Sequence, residues 1–463
     1  MKPSSYNVFV EYEPDNVHIG YNCVSGGMYI FNEKQYGLVR EILREPEESK
    51  DNDKADIKTK LIKGRFLIDD NVDELKILRL RNSMARYNPN GVGLVITPTL
   101  KCNFNCPYCY VDRNRTVMSQ HSVRALKNFF QKKLEKCDKA AVCWTGGEPL
   151  LALDVVEDLN SYFQGESRKK NVEYECSMIT NGYLLTSSCI NRLKNCGIKT
   201  LQITLDGYRD YHDNMRFTIG GKKTYSRILD NVINASNNDL TIILRTNIDK
   251  KNYESIYNLV DELSKTKINK ENFIFAPCMV MDTKSECSNC EENYFFSNRE
   301  FSYIEPEILL YSLKKGFNIH KSLLSTLKTF CGANTLSLYV VDSDTNILRC
   351  WCNLGCTDNN KIGHINENGE VFLENYSVLS QWMAWEPFEI EECVNCKVLP
   401  MCMGGCMYYN LMGKTDKIEI GCSHRKYNLE QMLTLYYISA TKEMGQLENI
   451  VLSNSLNIEL LKN

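Results

Sequence analysis

Hydrophobic and polar positions change period along this chain, and the changes outline its elements. Near the start, Asn7-Val-Phe-Val-Glu-Tyr12 alternates as a half-buried strand does. A second strand is predicted at 27–31, behind the turn residues Ser25-Gly26-Gly27. Asn32 stands where a cap belongs, ahead of a helix running through Ile42. Residues 50–63 are charge-rich and predict a loop running into a helix, 66–68 a short strand, and 73–87 a helix. From about 91 to 280, short apolar runs alternate with amphipathic stretches. The runs at 93–96, 140–144, 174–179, 200–205, 240–245 and 273–276 predict strands, and 123–134 and 190–196 predict helices between them. Such alternation implies parallel βαβ units. The regular pattern lapses over 281–330, and 426–463 predict one or two helices rich in Leu and Tyr.

A chain of 463 residues has room for two or three domains. Its net charge of −3 gives no electrostatic reason to expect nucleic acid or an anionic membrane as partner. No apolar run approaches the roughly 20 residues of a membrane span, and Met1-Lys-Pro-Ser-Ser-Tyr6 lacks the apolar core of a secretory signal. The expected location is the cytoplasm, where disulfides are rare. Yet there are 21 cysteines, an odd number that suits a disulfide framework poorly and points to metal or redox chemistry.

Three of them crowd one short stretch, Thr99-Leu-Lys-Cys102-Asn-Phe-Asn-Cys106-Pro-Tyr-Cys109-Tyr110, just after the first central strand. Three thiolates can hold three irons of a [4Fe–4S] cube and leave the fourth iron open for a small molecule. Zinc sites pair two cysteines with a second Cys or His pair, and none lies close by. With Tyr108 before the last cysteine, the C-x3-C-x2-C loop resembles the signature of the radical S-adenosylmethionine (SAM) superfamily. That resemblance implies a partial (β/α)6 barrel, chemistry at the C-terminal strand ends, and SAM chelated by the open iron.

Further motifs carry the same resemblance. Gly146-Gly147-Glu148-Pro149 follows the second strand and is similar to the family's GGEP motif, which contacts the SAM amino group. Ser177-Met-Ile-Thr180-Asn181-Gly182 and Ile203-Thr204-Leu-Asp206-Gly207 resemble segments near the SAM ribose and carboxylate, although Asn-Gly and Asp-Gly are also ordinary turns. His212-Asp213-x2-Arg216 resembles an HDxxR segment, and the Arg216 fork suits a carboxylate.

A second cysteine system begins at Cys331 and continues with Cys350, Cys352 and Cys356, then Cys393-x2-Cys396-x5-Cys402-x3-Cys406, and Cys422. This spacing resembles the SPASM domain, which holds two auxiliary [4Fe–4S] clusters. By resemblance, Cys393, Cys396, Cys402 and Cys422 hold the distal cluster, and Cys331, Cys350 and Cys406 the nearer one. Family members often take its fourth ligand from a cysteine just upstream, where Ser325 stands here. Cys352 and Cys356 are the nearest substitutes; otherwise one iron stays open. The family pattern also expects a glycine at position 345, which is Thr. Cys287-x2-Cys290 is either a redox pair or two thiols in a bland loop.

The expected organisation is a small α+β, winged-helix-like module over 1–90, a radical SAM partial barrel over 91–280, a bridging region 281–330, a SPASM domain 331–430 and a helical tail 431–463. Many radical SAM peptide maturases grip a leader peptide with such a front module. The resemblance implies an oxidoreductase that cleaves SAM to a 5′-deoxyadenosyl radical and installs a thioether or carbon–carbon crosslink in a ribosomally made precursor peptide. An electron donor such as flavodoxin or ferredoxin would serve it. The alternatives are peptide epimerisation, with Cys278 as a conceivable hydrogen donor, and formylglycine formation of the sulfatase-maturing type. That type lacks the front unit and has an aspartate where this chain has Trp351.

Overall fold

The Asn32 side chain accepts from the Gln35 amide while the Gln35 side chain accepts from the Asn32 amide, so the first helix starts where its cap stands. This computed structural model describes residues 1–46, 52–111, 117–280, 294–319, 321–354, 360–411 and 421–452. Cys287, Cys290 and Cys356 lie outside the described residues. Strand β1 (Lys2–Pro3) precedes an antiparallel meander of β2 (Asn7–Tyr12), β3 (Val17–Asn22) and β4 (Met28–Asn32). Then come α1 (Glu33–Arg44), α2 (Asn52–Lys63), β5 (Leu67–Ile68), which pairs with β1, and α3 (Glu74–Arg86). The alternation at the start of the chain marked β2 and β4 but not the central β3. Gly20 interrupts that strand's pattern, and it is needed there because a Cβ would meet Phe31 and Phe9 at 3.0 Å.

The central sheet follows the predicted order: β6 (Gly91–Ile96), α4 (Gln120–Lys133), β7 (Lys139–Trp144), α5 (Leu153–Lys169), β8 (Glu173–Thr180), α6 (Ser187–Asn195), β9 (Thr200–Thr204), α7 (Arg209–Met215), α8 (Tyr225–Ser236), β10 (Thr241–Ile248), α9 (Ser255–Lys265) and β11 (Phe273–Met279). The six strands are parallel and adjacent in chain order. Alternate residues Leu94, Ile96, Val142, Trp144, Met178, Leu201, Ile203 and Leu244 share one core with Leu126, Phe130, Phe163 and Ile190 of the helices. Their neighbours along each strand face the other way, away from these helices.

Two findings depart from the sequence pattern. Within 281–330, where the pattern lapses, α10 (Asn298–Lys314) is a full helix. It is buried nearly all round (Phe301, Ile304, Glu305, Ile308, Leu309 and Leu310), so no amphipathic period shows. The capping box Ser297/Glu300 was its readable signal. The sheet also does not stop at β6. Strand β12 (Leu338–Val341) adds in parallel to β6, and β13 (Asn346–Leu348), β14 (Lys361–Ile365) and β15 (Val371–Leu373) continue antiparallel, making ten strands. Then follow α11 (Tyr376–Ala384), the short α12 (Glu391–Val394), α13 (Leu399–Cys402) and α14 (Met407–Leu411), the long α15 (Arg425–Thr441) and a last described turn of helix, α16 (Met444–Leu447).

Helix α15 runs under the front meander, where Tyr6, Val8, Ile19 and Tyr21 share a core with Leu399, Leu429, Met432 and Leu433. It is clasped to α10 by Glu305, which takes both Arg425 terminal nitrogens at 3.0 and 3.2 Å and the Asn428 amide at 2.9 Å. Burial alone would raise the Glu305 pKa, but Arg425 and then His424 hold it far below the ordinary carboxylate range. The stability this supplies is present in full above the unfolded-state value of about 4.3 and is lost as pH falls below it. Glu305→Gln leaves Arg425 buried without its counter-charge and costs about 3 kcal/mol at pH 7. Urea midpoints should show that deficit narrowing as pH falls below about 4, toward about 2; an equal deficit at neutral pH and at about pH 2 refutes the assignment.

Candidate functional site

The loop after β6 is pinned on both sides by backbone. Gly147 N donates to Thr99 O at 3.0 Å and Glu148 N to Lys101 O at 2.8 Å. Asn105 N donates to Phe217 O at 2.9 Å and Ile219 N to Asn103 O at 3.0 Å. A Cβ on Gly147 would stand 2.2 Å from Lys101 O, so the glycine pair is needed for the cysteine loop itself to lie against it. Cys102, Cys106 and Cys109 are half-buried on this loop and none is in a disulfide. Phe104 N donates to the Cys102 sulfur at 3.4 Å, and Cys109 N to Cys106 O at 3.3 Å. Burial first, then Glu148, pushes the Cys102 thiol up to about 12, so binding a metal there must displace a proton.

Glu148 is fully buried at the end of β7. Its carboxylate accepts from Leu150 N at 3.0 Å, Thr180 Oγ1 at 2.7 Å and Asn181 N at 2.8 Å, joining the ends of β7 and β8. Oε2 takes only the Asn181 bond of these and keeps capacity for one more donor. Pro149 opens the turn that follows. The Asn181 side-chain amide donates to Asn103 Oδ1 at 2.8 Å and lies 4.0 Å from the Cys102 sulfur. Ser177 does not join this group: it sits farther down β8, in register with Cys143 and Thr200 and bonded to the Cys143 thiol.

Tyr108 ties the loop to two distant segments. Its hydroxyl donates to Asp206 and accepts from Arg216 Nη1 at 2.7 Å, and that nitrogen is 4.0 Å from Asp206 Oδ2. Asp206 and Arg216 are both buried. Burial raises the Asp206 pKa against the pull of Arg216. Burial opposes the Arg216 charge, but Tyr108, Cys106 and Asp206 hold its pKa well above the ordinary value. Arg216 Nε and Asn103 Nδ2 are buried without a hydrogen-bond partner, while the Asp206 carboxylate also receives Asn247. Unpaired buried polar atoms of this kind call for a ligand. The rest of the HDxxR segment is architecture. His212 Nδ1 accepts from Asp206 N at 3.1 Å and Nε2 lies 3.0 Å from Thr224 Oγ1. Burial drives its pKa well down, so it is neutral. Asp213 caps α8 through the Thr224 and Tyr225 amides at 2.8 and 2.9 Å.

Sequence reasoning missed Asn103 and Arg245. Arg245 lies on the face of β10 opposite Leu244, level with Thr204 and Ala276, and its Nε donates to Asn247 Oδ1 at 2.8 Å. Its signal was positional: polar residues at the C-terminal end of a parallel strand mark the reactive edge.

The later cysteines gather in two places. Cys393, Cys396, Cys402 and Cys422 line one small cleft. Cys331, Cys350, Cys352 and Cys406 pack around Ala333, Trp382, Met407 and Tyr408. Thr345 holds φ at +65°, the left-handed conformation where a glycine was expected, and its hydroxyl donates to Ile365 O at 2.8 Å. Half-buried Tyr110 joins the two systems. Loss of water, then Cys352, Cys109 and Cys350, raise its phenol pKa, against Arg245. Among the described residues no three Cys, His, Asp or Glu side chains converge as ligands of a single ion, and the corner thiolates of a [4Fe–4S] cube stand farther apart than that. All-thiol donors, backbone N–H on sulfur and the unpartnered Arg216 and Asn103 nitrogens fit a cluster with a small zwitterion beside it.

Residues 96–263 match the Radical SAM superfamily. Over 68% of its length the chain is 23% identical to a cysteine-type anaerobic sulfatase-maturating enzyme of Clostridium novyi, covering 87% of that protein. It is 28% identical to the Fe-coproporphyrin III synthase of Methanosarcina barkeri, spanning 40% of that protein. Native anSMEcpe with bound AdoMet and Kp18Cys peptide superposes at TM-score 0.56 with 20% identity, over 76% of this chain and 100% of the other. Streptococcus suis SuiB bound to precursor peptide SuiA superposes at 0.52 with 14% identity, over 89% and 97%. At these identities the two structures show a shared fold.

Proposed function

We propose that this chain, whose residues 96–263 form a radical SAM domain, is a peptide maturase that oxidatively crosslinks a ribosomally made precursor. The observation that carries the reading is the meeting of three cysteines on one loop with the buried Tyr108–Asp206–Arg216 group. Cys102, Cys106 and Cys109 would hold the [4Fe–4S] cluster. Arg216 would pair with the SAM carboxylate, Glu148 Oε2 would accept from its ammonium, and Asn181, Thr204 and Asp206 would face its ribose. When bound, cluster and SAM supply a 5′-deoxyadenosyl radical, and the protein orients and shields it. The six parallel strands form the partial barrel of this reading, and residues 331–430 its SPASM domain with two auxiliary clusters.

The front module would receive the leader. Among the described residues β4 is an edge strand, open to an added strand from an extended peptide. No described helix is long and apolar enough to cross a membrane; we place the enzyme in the cytoplasm with a flavodoxin or ferredoxin as electron donor. A second reading, formylglycine formation, draws on the similarity to the sulfatase-maturating enzyme, and Trp351 and the front module weigh against it. Mass spectrometry of a precursor co-expressed from a neighbouring gene separates the outcomes. A crosslink removes about 2 Da per event and formylglycine from cysteine about 18 Da, whereas epimerisation leaves the mass unchanged apart from deuterium taken from solvent. Either of the latter results replaces the crosslinking proposal.

A further inference from the structure

The nearer auxiliary site has three cysteines by spacing, and its fourth corner is decided by tertiary packing. Residues 346–348 are strand β13, and the chain leaves it extended through Cys350, at φ −130° and ψ 139°. Residues 351–353 then form a tight 3-10 turn, which puts Trp351 at the surface, 43% exposed, and packs Cys352 with Cys350 against the same small core. Cys352 N donates to the Cys350 sulfur at 3.4 Å, and the two thiols are within hydrogen-bond reach of each other.

Cys331 comes from the start of the turn before β12, and Cys406 from the residue before α14. Both pack on the same small core as Cys350 and Cys352, formed by Ala333, Trp382, Met407 and Tyr408. Three separate segments thus deliver four thiols to one place. Ser325 takes no part: it lines another cleft, with Tyr21, Met28 and Tyr436, beneath the front meander.

Resting on the auxiliary-cluster reading above, we propose that Cys352 is the fourth protein ligand of the cluster held by Cys331, Cys350 and Cys406. The consequence is chemical. A cube with four cysteine ligands has no iron free for a substrate thiol or amide, so the site accepts electrons and does not bind the peptide. Cys352 and Cys350 act on the Tyr110 phenol together with Cys109, which sets this site near the first cysteine loop.

The test uses the full chain with Cys102, Cys106 and Cys109 changed to Ala, because the first cluster has an open iron of its own. After anaerobic reconstitution this protein should hold about eight irons, as two cubes. A cube lacking one cysteine loses its free iron on mild oxidation and gives the paramagnetic signal of a [3Fe–4S] cluster. The background protein should give none. Adding Cys352→Ala should produce about one such signal per chain, or lower the iron by about four. Cys352→Ser, which keeps the size of the side chain, should do the same and guards against a folding failure. Cys356→Ala should change nothing. A [3Fe–4S] signal already present with Cys352 intact, or one that appears with Cys356→Ala instead, overturns the assignment while leaving the auxiliary clusters in place. A background protein that takes up no iron overturns the underlying reading as well.

Discussion

Replacing Cys102, Cys106 and Cys109 together by Ala abolishes 5′-deoxyadenosine formation and lowers cluster iron by about a third, from about twelve to about eight per chain. The size of the effect follows from the geometry. All three thiols sit on one loop that is held by backbone to Gly147, Glu148, Phe217 and Ile219. No other described cysteine lies on that loop, so no neighbour can substitute. The later cysteines pack elsewhere, around Met407 and Tyr408 or in the cleft at Cys402, so their iron should survive. Arg216→Ala separates cluster from cosubstrate: it leaves the iron count intact and weakens SAM binding, because a buried bidentate partner for a carboxylate is gone. Anaerobic iron and sulfide assays, product chromatography and SAM titration read these quantities. A triple variant that still makes 5′-deoxyadenosine places the radical source elsewhere.

Arg86→Met destabilises the protein by about 3 kcal/mol, the second large effect. Arg86 is fully buried on α3. Its Nη1 donates to Glu386 at 2.8 Å, and Nη2 donates to the Met383 carbonyl. Removing the cation leaves a partly buried carboxylate and a buried carbonyl unpaired, more than the added methionine contacts offset. Glu386 lies 300 residues away in sequence, so this pair fastens the front module to the C-terminal region. Arg79 reinforces it with Glu386 and Glu389. Deleting residues 1–88 should therefore do more than remove a leader-binding unit. It strips Tyr6, Ile19, Tyr21 and Leu78 from a core shared with Leu399, Leu433 and Ile438, at about 1.5–3 kcal/mol per large side chain. Thermal melts and iron counts should show a weakened C-terminal region that loses auxiliary iron. A truncated protein with unchanged melting and full iron content would make the front module an independent cap.

The alternation of short apolar runs predicted all six parallel strands within a few residues of β6 to β11. It worked because each strand is short and is separated from the next by an amphipathic helix. Asn32 and Asp73 cap the helices they precede, through local bonds that need no tertiary partner. The C-x3-C-x2-C spacing was legible for the same reason: three thiols within eight residues share one loop whatever surrounds them. The pattern failed at α10, which is buried over most of its surface, and at β3, where a glycine makes room for two phenylalanines.

What the sequence alone determined is thus local: the βα period, the helix starts, the cysteine spacings and the polar residues at strand ends. The tertiary structure decided which distant segments meet. It brought Tyr108 to Asp206 and Arg216, β12 onto β6, α15 under the meander and Cys352 beside Cys331 and Cys406. It also showed Glu148 and His212 to be tied into the framework by hydrogen bonds to neighbouring strand ends and turns. Contacts between segments tens to hundreds of residues apart leave no period in the chain, because they arise from the shape left after each element has buried its own apolar face.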